Sequence, residues 1–185
     1  MSSQNQPLQI ETVDQDTIRF FIWSVWNFFT TTTEIPPKIG APYLFDQFDH
    51  NDYTGIIGVS GNQKGAVHVT MPKDMINEIL SMRHTFIFDG SRSEESIDHM
   101  RADCLGEAAN IISGNVRNYL GEQFLISVPV IITAKDTPMR TYKGIEGIVF
   151  PVKWKGLHCD IILCLKKSSN CDVPASSDFA EVSSL

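Results

Sequence analysis

Residues 103–118 read Asp-Cys-Leu-Gly-Glu-Ala-Ala-Asn-Ile-Ile-Ser-Gly-Asn-Val-Arg-Asn. The stretch lacks proline, and small or straight-chain residues fill most turns, which suits a helix. At about 100° per residue, Leu105, Ala108, Ala109, Ile112, Val116 and Leu120 share one broad arc, the face expected to bury. Asp103, Glu107, Asn110, Gly114 and Asn118 fall on the opposite side. Glu107 and Asn110, three residues apart, are neighbours on an outward ridge. Gly114 follows on the same ridge, about one turn further. A mid-helix glycine costs roughly 1 kcal/mol relative to alanine. It leaves a shallow notch where another protein's backbone can come close. A carboxylate, a carboxamide and a notch in line read as a contact surface. On spacing alone, ordinary exposed polar residues are the favoured explanation, since such residues are the norm on a solvent face.

The flanks bound this helix at about 93–120. Ser91 and Glu94 have capping-box spacing, Ser93 is an alternative cap, and Gly121 is a natural stop. Upstream, Asp14 and Asp16 are candidate caps for a helix over about 16–30. Ile18, Phe21, Ile22, Val25 and Phe29 form its core stripe. Phe20, Trp23 and Trp26 widen that stripe, so the helix packs on two sides or offers aromatics to a partner. Threonines at 30–33 and the prolines at 36 and 37 end it.

A first strand is expected near 42–48, then a turn at His50-Asn51-Asp52. Residues 53–60 and 65–71 read as a hairpin around Gly61-Asn62-Gln63-Lys64-Gly65. A helix follows over about 72–83, with Pro72 in its first turn and Met75, Ile76, Ile79 and Leu80 inward. Residues 84–92 form a connector anchored by Phe86, Ile87 and Phe88. Strands are expected near 123–134, 144–154 and 157–166, the last two joined by a tight turn at Lys155-Gly156. The polar stretch 135–143 reads as a mobile loop. The domain reading is a loose arm over 1–13, one domain over 14–167 and a tail over 168–185.

Length and composition fit one soluble domain with a sizeable core: 185 residues, 42% hydrophobic and 20% charged. The net charge is −7, and no Lys/Arg cluster exceeds a pair, so nucleic-acid binding is not expected. No apolar run is long enough to span a membrane, and the polar N-terminus does not resemble a signal peptide, so the expected location is the cytoplasm. Cys104, Cys159, Cys164 and Cys171 match no zinc spacing, and the histidines form no H-x-x-x-H pair, so no metal site is expected. Cys104, Cys159 and Cys164 lie in apolar-patterned segments and read as small core residues.

Glu107-x-x-Asn110-x-x-x-Gly114-Asn115, with Asp103 four residues before the glutamate, resembles the active-site helix of the CheC/CheX/FliY phosphatase family, closest to its CheX branch. Ile126-Ser127-Val128-Pro129-Val130-Ile131 resembles the family's following strand. Residues 54–61 and 65–69 resemble its early hairpin. The likeness covers roughly residues 15–165. It implies an α+β two-layer sandwich: a mostly antiparallel sheet covered on one face by helices, with a long central helix. It also implies a homodimer formed through the sheet.

The implied activity is dephosphorylation of a phospho-aspartyl, CheY-like receiver domain, with Asn110 positioning water and Glu107 anchoring the partner. The receiver would bring its own lysine and divalent metal, so no cofactor is expected of this chain. Asp103, Gly114 and Asn118 are candidate partner-binding residues, and Asn115 reads as a flank. Some family members carry a second site on the first helix. The matching pattern here, Ser24-x-x-Asn27, has serine for glutamate and reads as non-catalytic. Two other readings stand beside this one. One is a non-catalytic module that docks a receiver or a flagellar-switch protein. The other is a hydrolase with its own nucleophile, for which Ser113, Cys104 and Ser60 are the candidates; none lies in a G-x-S-x-G elbow.

Overall fold

A computed structural model describes residues 13–45, 47–49, 51–83, 92–133, 138–140 and 146–168. Helix α1 (Gln15–Thr33) starts at Asp14, whose carboxylate accepts from Thr17 N at 2.7 Å. It continues through the threonines expected to stop it. The hydroxyls of Thr30, Thr31 and Thr33 each donate to the carbonyl four residues back, which keeps those side chains compatible with a helix. The helix ends instead at Glu34, which adopts a left-handed conformation with φ 60°. Val13, read as the last residue of the arm, is buried in the main core.

Strands β1 (Lys38–Ile39), β2 (Tyr43–Phe45) and β3 (Gln47–Asp49) replace the single strand expected near 42–48. The break between β1 and β2 has a cause across the ladder. Both pair with β9 (Gly147–Trp154), where Pro151 accepts from Gly40 N at 2.8 Å but has no N–H to return. Strands β4 (Tyr53–Gly61) and β5 (Gln63–Met71) form the expected hairpin, but pairing runs further into the turn than the glycines suggest. Gly61 pairs outward with Phe124, and Gln63 pairs outward with Lys167. Helix α2 (Lys73–Met82) buries Met75, Ile76, Ile79 and Leu80, the four residues expected inward.

Helix α3 (Glu94–Leu120) is capped by Ser93, which accepts from Ser96 N, and stops at Gly121 with φ 85°. The connector over 84–91, including Ser91 and the three apolar anchors, lies outside the described residues.

The strand expected over 123–134 is two, β6 (Phe124–Ile126) and β7 (Val130–Ile132). Both pair with β4, and between them Ser127, Val128 and Pro129 stand opposite Ile57 and Gly58. The extra residue is a β-bulge. Ser127 fixes it: its N donates to Gly58 O and its Oγ accepts from Gly58 N, each at 2.9 Å. Part of the polar loop is a strand after all. Strand β8 (Pro138–Arg140) pairs with β3 in a separate two-stranded sheet. Strands β9 and β10 (Leu157–Lys167) meet at Lys155 and Gly156, both at positive φ (49° and 83°), the turn geometry that matches strand twist.

The main sheet runs β1-β9-β10-β5-β4-β6, with β2 continuing the β1 edge and β7 the β6 edge; every pairing is antiparallel. The helices cover one face. Phe21, Phe28 and Phe29 of α1 and Leu105, Ala109 and Ile112 of α3 share a core with Ile57, Val67, Phe150, Ile161 and Leu163 of the sheet. On the far face, Val149, Ile162 and Cys164 form a small separate cluster under Phe45. The fold is thus the expected α+β sandwich with a long central helix. Gly55 lets α3 lie close: a Cβ there would stand 3.3 Å from Ala109 Cβ and 3.5 Å from Leu105 Cγ.

The wide aromatic stripe of α1 is not buried on both sides within the chain. Phe20 stacks on Tyr119 at 4.5 Å between centroids, while Trp23 and Trp26 remain 40% and 43% exposed.

Candidate active site

The core fixes which face of α3 looks outward. Leu105, Ala108, Ala109, Ile112 and Val116 are buried, so Asp103, Glu107, Asn110 and Asn118 are exposed on the opposite side. Glu107 and Asn110 are adjacent on this ridge, about 60° apart around the axis and about 4.5 Å apart along it. The Asn110 carboxamide makes no hydrogen bond among the described residues. Gly114 has no packing reason for being glycine, because a Cβ there would meet nothing within 4 Å. Asn115 differs from the ridge: it is half-buried, and its Nδ2 is buried without a partner.

Two features flank the ridge. The bulge of the β6–β7 edge lies on one side. A Cβ on Gly106 would sit 3.6 Å from Ile131 and 3.7 Å from Pro129, and Val128 beside them is 80% exposed. On the other side is Arg83, at the C-terminal end of α2. Its Nη1 donates to Glu107 Oε2 at 2.5 Å. That hydrogen bond raises the Arg83 pKa, with burial opposing it. Sequence reasoning did not find Arg83. It is 24 residues from Glu107 on another element, and no spacing rule joins them.

A second ionic group, also not legible from the pattern, fixes the start of α3. Arg101 is buried; its Nη1 donates to Glu94 Oε1 at 2.7 Å and Asp98 Oδ1 at 2.5 Å, and its Nε donates to Asn77 Oδ1 at 2.9 Å. Tyr53 Oη donates to Asp98 at 2.5 Å, and Lys73 Nζ to Glu94 at 2.7 Å. The cluster joins α3 to α2 and β4, the elements that set the ridge's orientation. The Tyr53 hydrogen bond, then Arg101, holds the Asp98 carboxyl below the usual aspartate range. Lys73, then Arg101, does the same for Glu94.

The candidate nucleophiles fare differently. Ser113 is fully buried, and its Oγ has no hydrogen-bond partner. Cys104 is buried, and desolvation pushes its thiol up to about 11, so the reactive thiolate is scarce at neutral pH. Ser60 is exposed but sits in the β4 ladder opposite Leu125. Cys159 and Cys164 are buried as expected, and Cys171 lies outside the described residues. Among the described residues no group of His, Cys, Asp and Glu is placed to hold a metal, and no helix is long and apolar enough to cross a membrane.

The fold has counterparts among known proteins. A CheC-like superfamily protein from Shewanella sp. PV-4 is 26% identical, with a TM-score of 0.70 over 83% of this chain and 99% of that one. The chemotaxis protein CheX from a Desulfovibrio desulfuricans subspecies is 23% identical, with a TM-score of 0.69 over 82% of this chain and 99% of that one. A chain of the CheX-CheY-BeF3-Mg2+ complex from Borrelia burgdorferi is 21% identical, with a TM-score of 0.69 over 83% of this chain and all of that one. No curated protein matches significantly. The family described as chemotaxis phosphatase CheX matches residues 53–153, which hold β4, β5, α2, all of the α3 ridge and the bulged edge. That match spans more than half of the 185 residues, and the chain belongs to the chemotaxis phosphatase CheX family.

Proposed function

We propose that this chain hydrolyses the aspartyl phosphate of a CheY-like receiver domain, with Asn110 positioning the attacking water and Glu107 pairing with a receiver lysine. The observation that carries the reading is the ridge. Glu107 and Asn110 stand exposed on a helix whose opposite face is locked in the core. Family membership and the complexed Borrelia relative support the choice of partner.

An acyl phosphate is thermodynamically ready to hydrolyse; the barrier lies in placing water in line with the phosphorus. The water oxygen bonds to phosphorus, the bond to the aspartyl oxygen breaks, and carboxylate and inorganic phosphate leave. A carboxamide suits the positioning role. It has a donor and an acceptor in fixed geometry and no charge to repel phosphoryl oxygens. A carboxylate so near the phosphoryl group needs a cation to face, which gives Glu107 its lysine. The receiver supplies that lysine and the divalent metal, so this chain brings no cofactor. Asp103 adds to the charge pairing, Gly114 admits the partner backbone, and Asn118 extends the contact. The setting is the cytoplasm, where the chain acts as a homodimer joined through an open sheet edge.

Phosphate release from phosphorylated receivers is the test. Wild type accelerates it, Asn110→Ala abolishes the acceleration, and Glu107→Ala loses most of it through weakened docking. Binding without acceleration would favour a docking module instead.

A further inference from the structure

We infer that Arg83 is a positioning residue of this site: it holds one oxygen of Glu107 so that the other is presented, already aimed, to the lysine of the incoming receiver. The inference rests on the phosphatase reading and deepens it. Arg83 closes α2, and its Nη1 reaches Glu107 Oε2 at 2.5 Å. The Arg83 side chain is 28% exposed and that of Glu107 50%, so the pair stands at a rim that a docking partner would cover.

The geometry separates a clamp from a competitor. A carboxylate offers about four acceptor positions on its two oxygens. A bidentate arginine would occupy both oxygens, whereas the hydrogen bond from Arg83 goes to Oε2, and Oε1 accepts no hydrogen bond among the described residues. A lysine ammonium is a compact point charge that one oxygen can receive. The carboxylate between the two cations offsets their repulsion. A free glutamate would lose its rotamer freedom when the receiver docks. The Arg83 hydrogen bond already favours one orientation of Glu107. The consequence falls on docking rather than on the water held by Asn110.

The test is steady-state phosphate release from a phosphorylated CheY-type receiver by wild type, Arg83→Ala, Arg83→Lys, Glu107→Ala and the Arg83→Ala/Glu107→Ala double variant. Arg83→Ala is expected to raise KM about tenfold with kcat unchanged, the signature of lost binding rather than lost chemistry. Arg83→Lys restores most of the affinity. The double variant is no worse than Glu107→Ala alone, because the arginine acts only through that carboxylate. Arg83→Gln keeps the stem and carries the same expectation should the alanine variant fold poorly. If wild type is active and Glu107→Ala impaired, an unchanged KM in Arg83→Ala overturns the inference and leaves the phosphatase reading standing. A lowered KM also overturns it, and makes Arg83 a competitor. Failure of wild type to accelerate any receiver removes the phosphatase reading, and the inference with it.

Discussion

The Ser24 hydroxyl of α1 donates to the Ile112 carbonyl of α3 at 2.7 Å, and Ser24 is fully buried. Ser24, which begins the Ser24-x-x-Asn27 pattern read as non-catalytic, is thus part of the helix–helix seam. The inequality between the helices is therefore one of orientation as well as composition. Helix α1 turns this position inward, and α3 turns Glu107 outward.

A glutamate placed here should not create a second site. Ser24→Glu would bury a carboxylate in the helix–helix seam and is expected to cost several kcal/mol, about 3 or more. Ser24→Ala is expected to lose about 1 kcal/mol, one buried hydrogen bond. Chemical denaturation reads both. A folded Ser24→Glu variant with added phosphatase activity would contradict the assignment.

Gly114 should separate stability from function. The space above it is open, so Gly114→Ala is expected to stabilise α3 by about 1 kcal/mol. The same methyl would stand where a docked backbone comes close, and phosphate release should fall about tenfold or more, since small displacements of a reacting geometry are costly. A variant that gains stability and keeps full activity would show that the notch has no role in docking.

Much of this architecture was legible because it follows from periodicity. The buried arc of α3, the four inward residues of α2 and the Lys155-Gly156 turn all come from local pattern and turn chemistry. The failures come from partners distant in sequence. The break between β1 and β2 depends on Pro151 across the ladder. The bulge depends on a register that Ser127 and Gly58 settle together. The threonines ending α1 satisfied their hydroxyls within the helix, against their propensity. At the site, the ridge could be read from spacing of three and four residues. Arg83 and the buried Arg101 could not, because side-chain chemistry brings them to α3 from another helix or from its inner face.

The Arg101 cluster predicts the acid limb of stability. The Asp98 pKa is lower in the folded chain than in the unfolded one, because Tyr53 and then Arg101 favour its carboxylate. The folded state thus binds fewer protons. The contribution is complete above the unfolded value, about 3.9, and is lost as pH falls through the lower folded value. Thermal melts from about pH 6 down to about pH 2.5 should show a shallower acid decline for Asp98→Asn than for wild type. Parallel declines would contradict the assignment. Arg101→Met should lose about 2 kcal/mol at neutral pH, as its charged hydrogen bonds go.

Cys104 lies close to the ridge but should be chemically silent. Its thiol is buried and shifted up to about 11. Iodoacetamide should leave it unmodified in the folded protein at neutral pH, and Cys104→Ala should keep phosphate release near the wild-type rate. Loss of activity in a folded Cys104→Ala variant would revive the nucleophile reading.

The measurement closest to the central claim compares wild type with Asn110→Ala on a panel of phosphorylated CheY-type receivers, reading phosphate release and receiver binding together. The expected result is acceleration by wild type that Asn110→Ala loses while receiver binding persists, since the carboxamide holds the water and Glu107 holds the partner. Equal acceleration by the two proteins would place the chemistry elsewhere on the molecule and contradict the account.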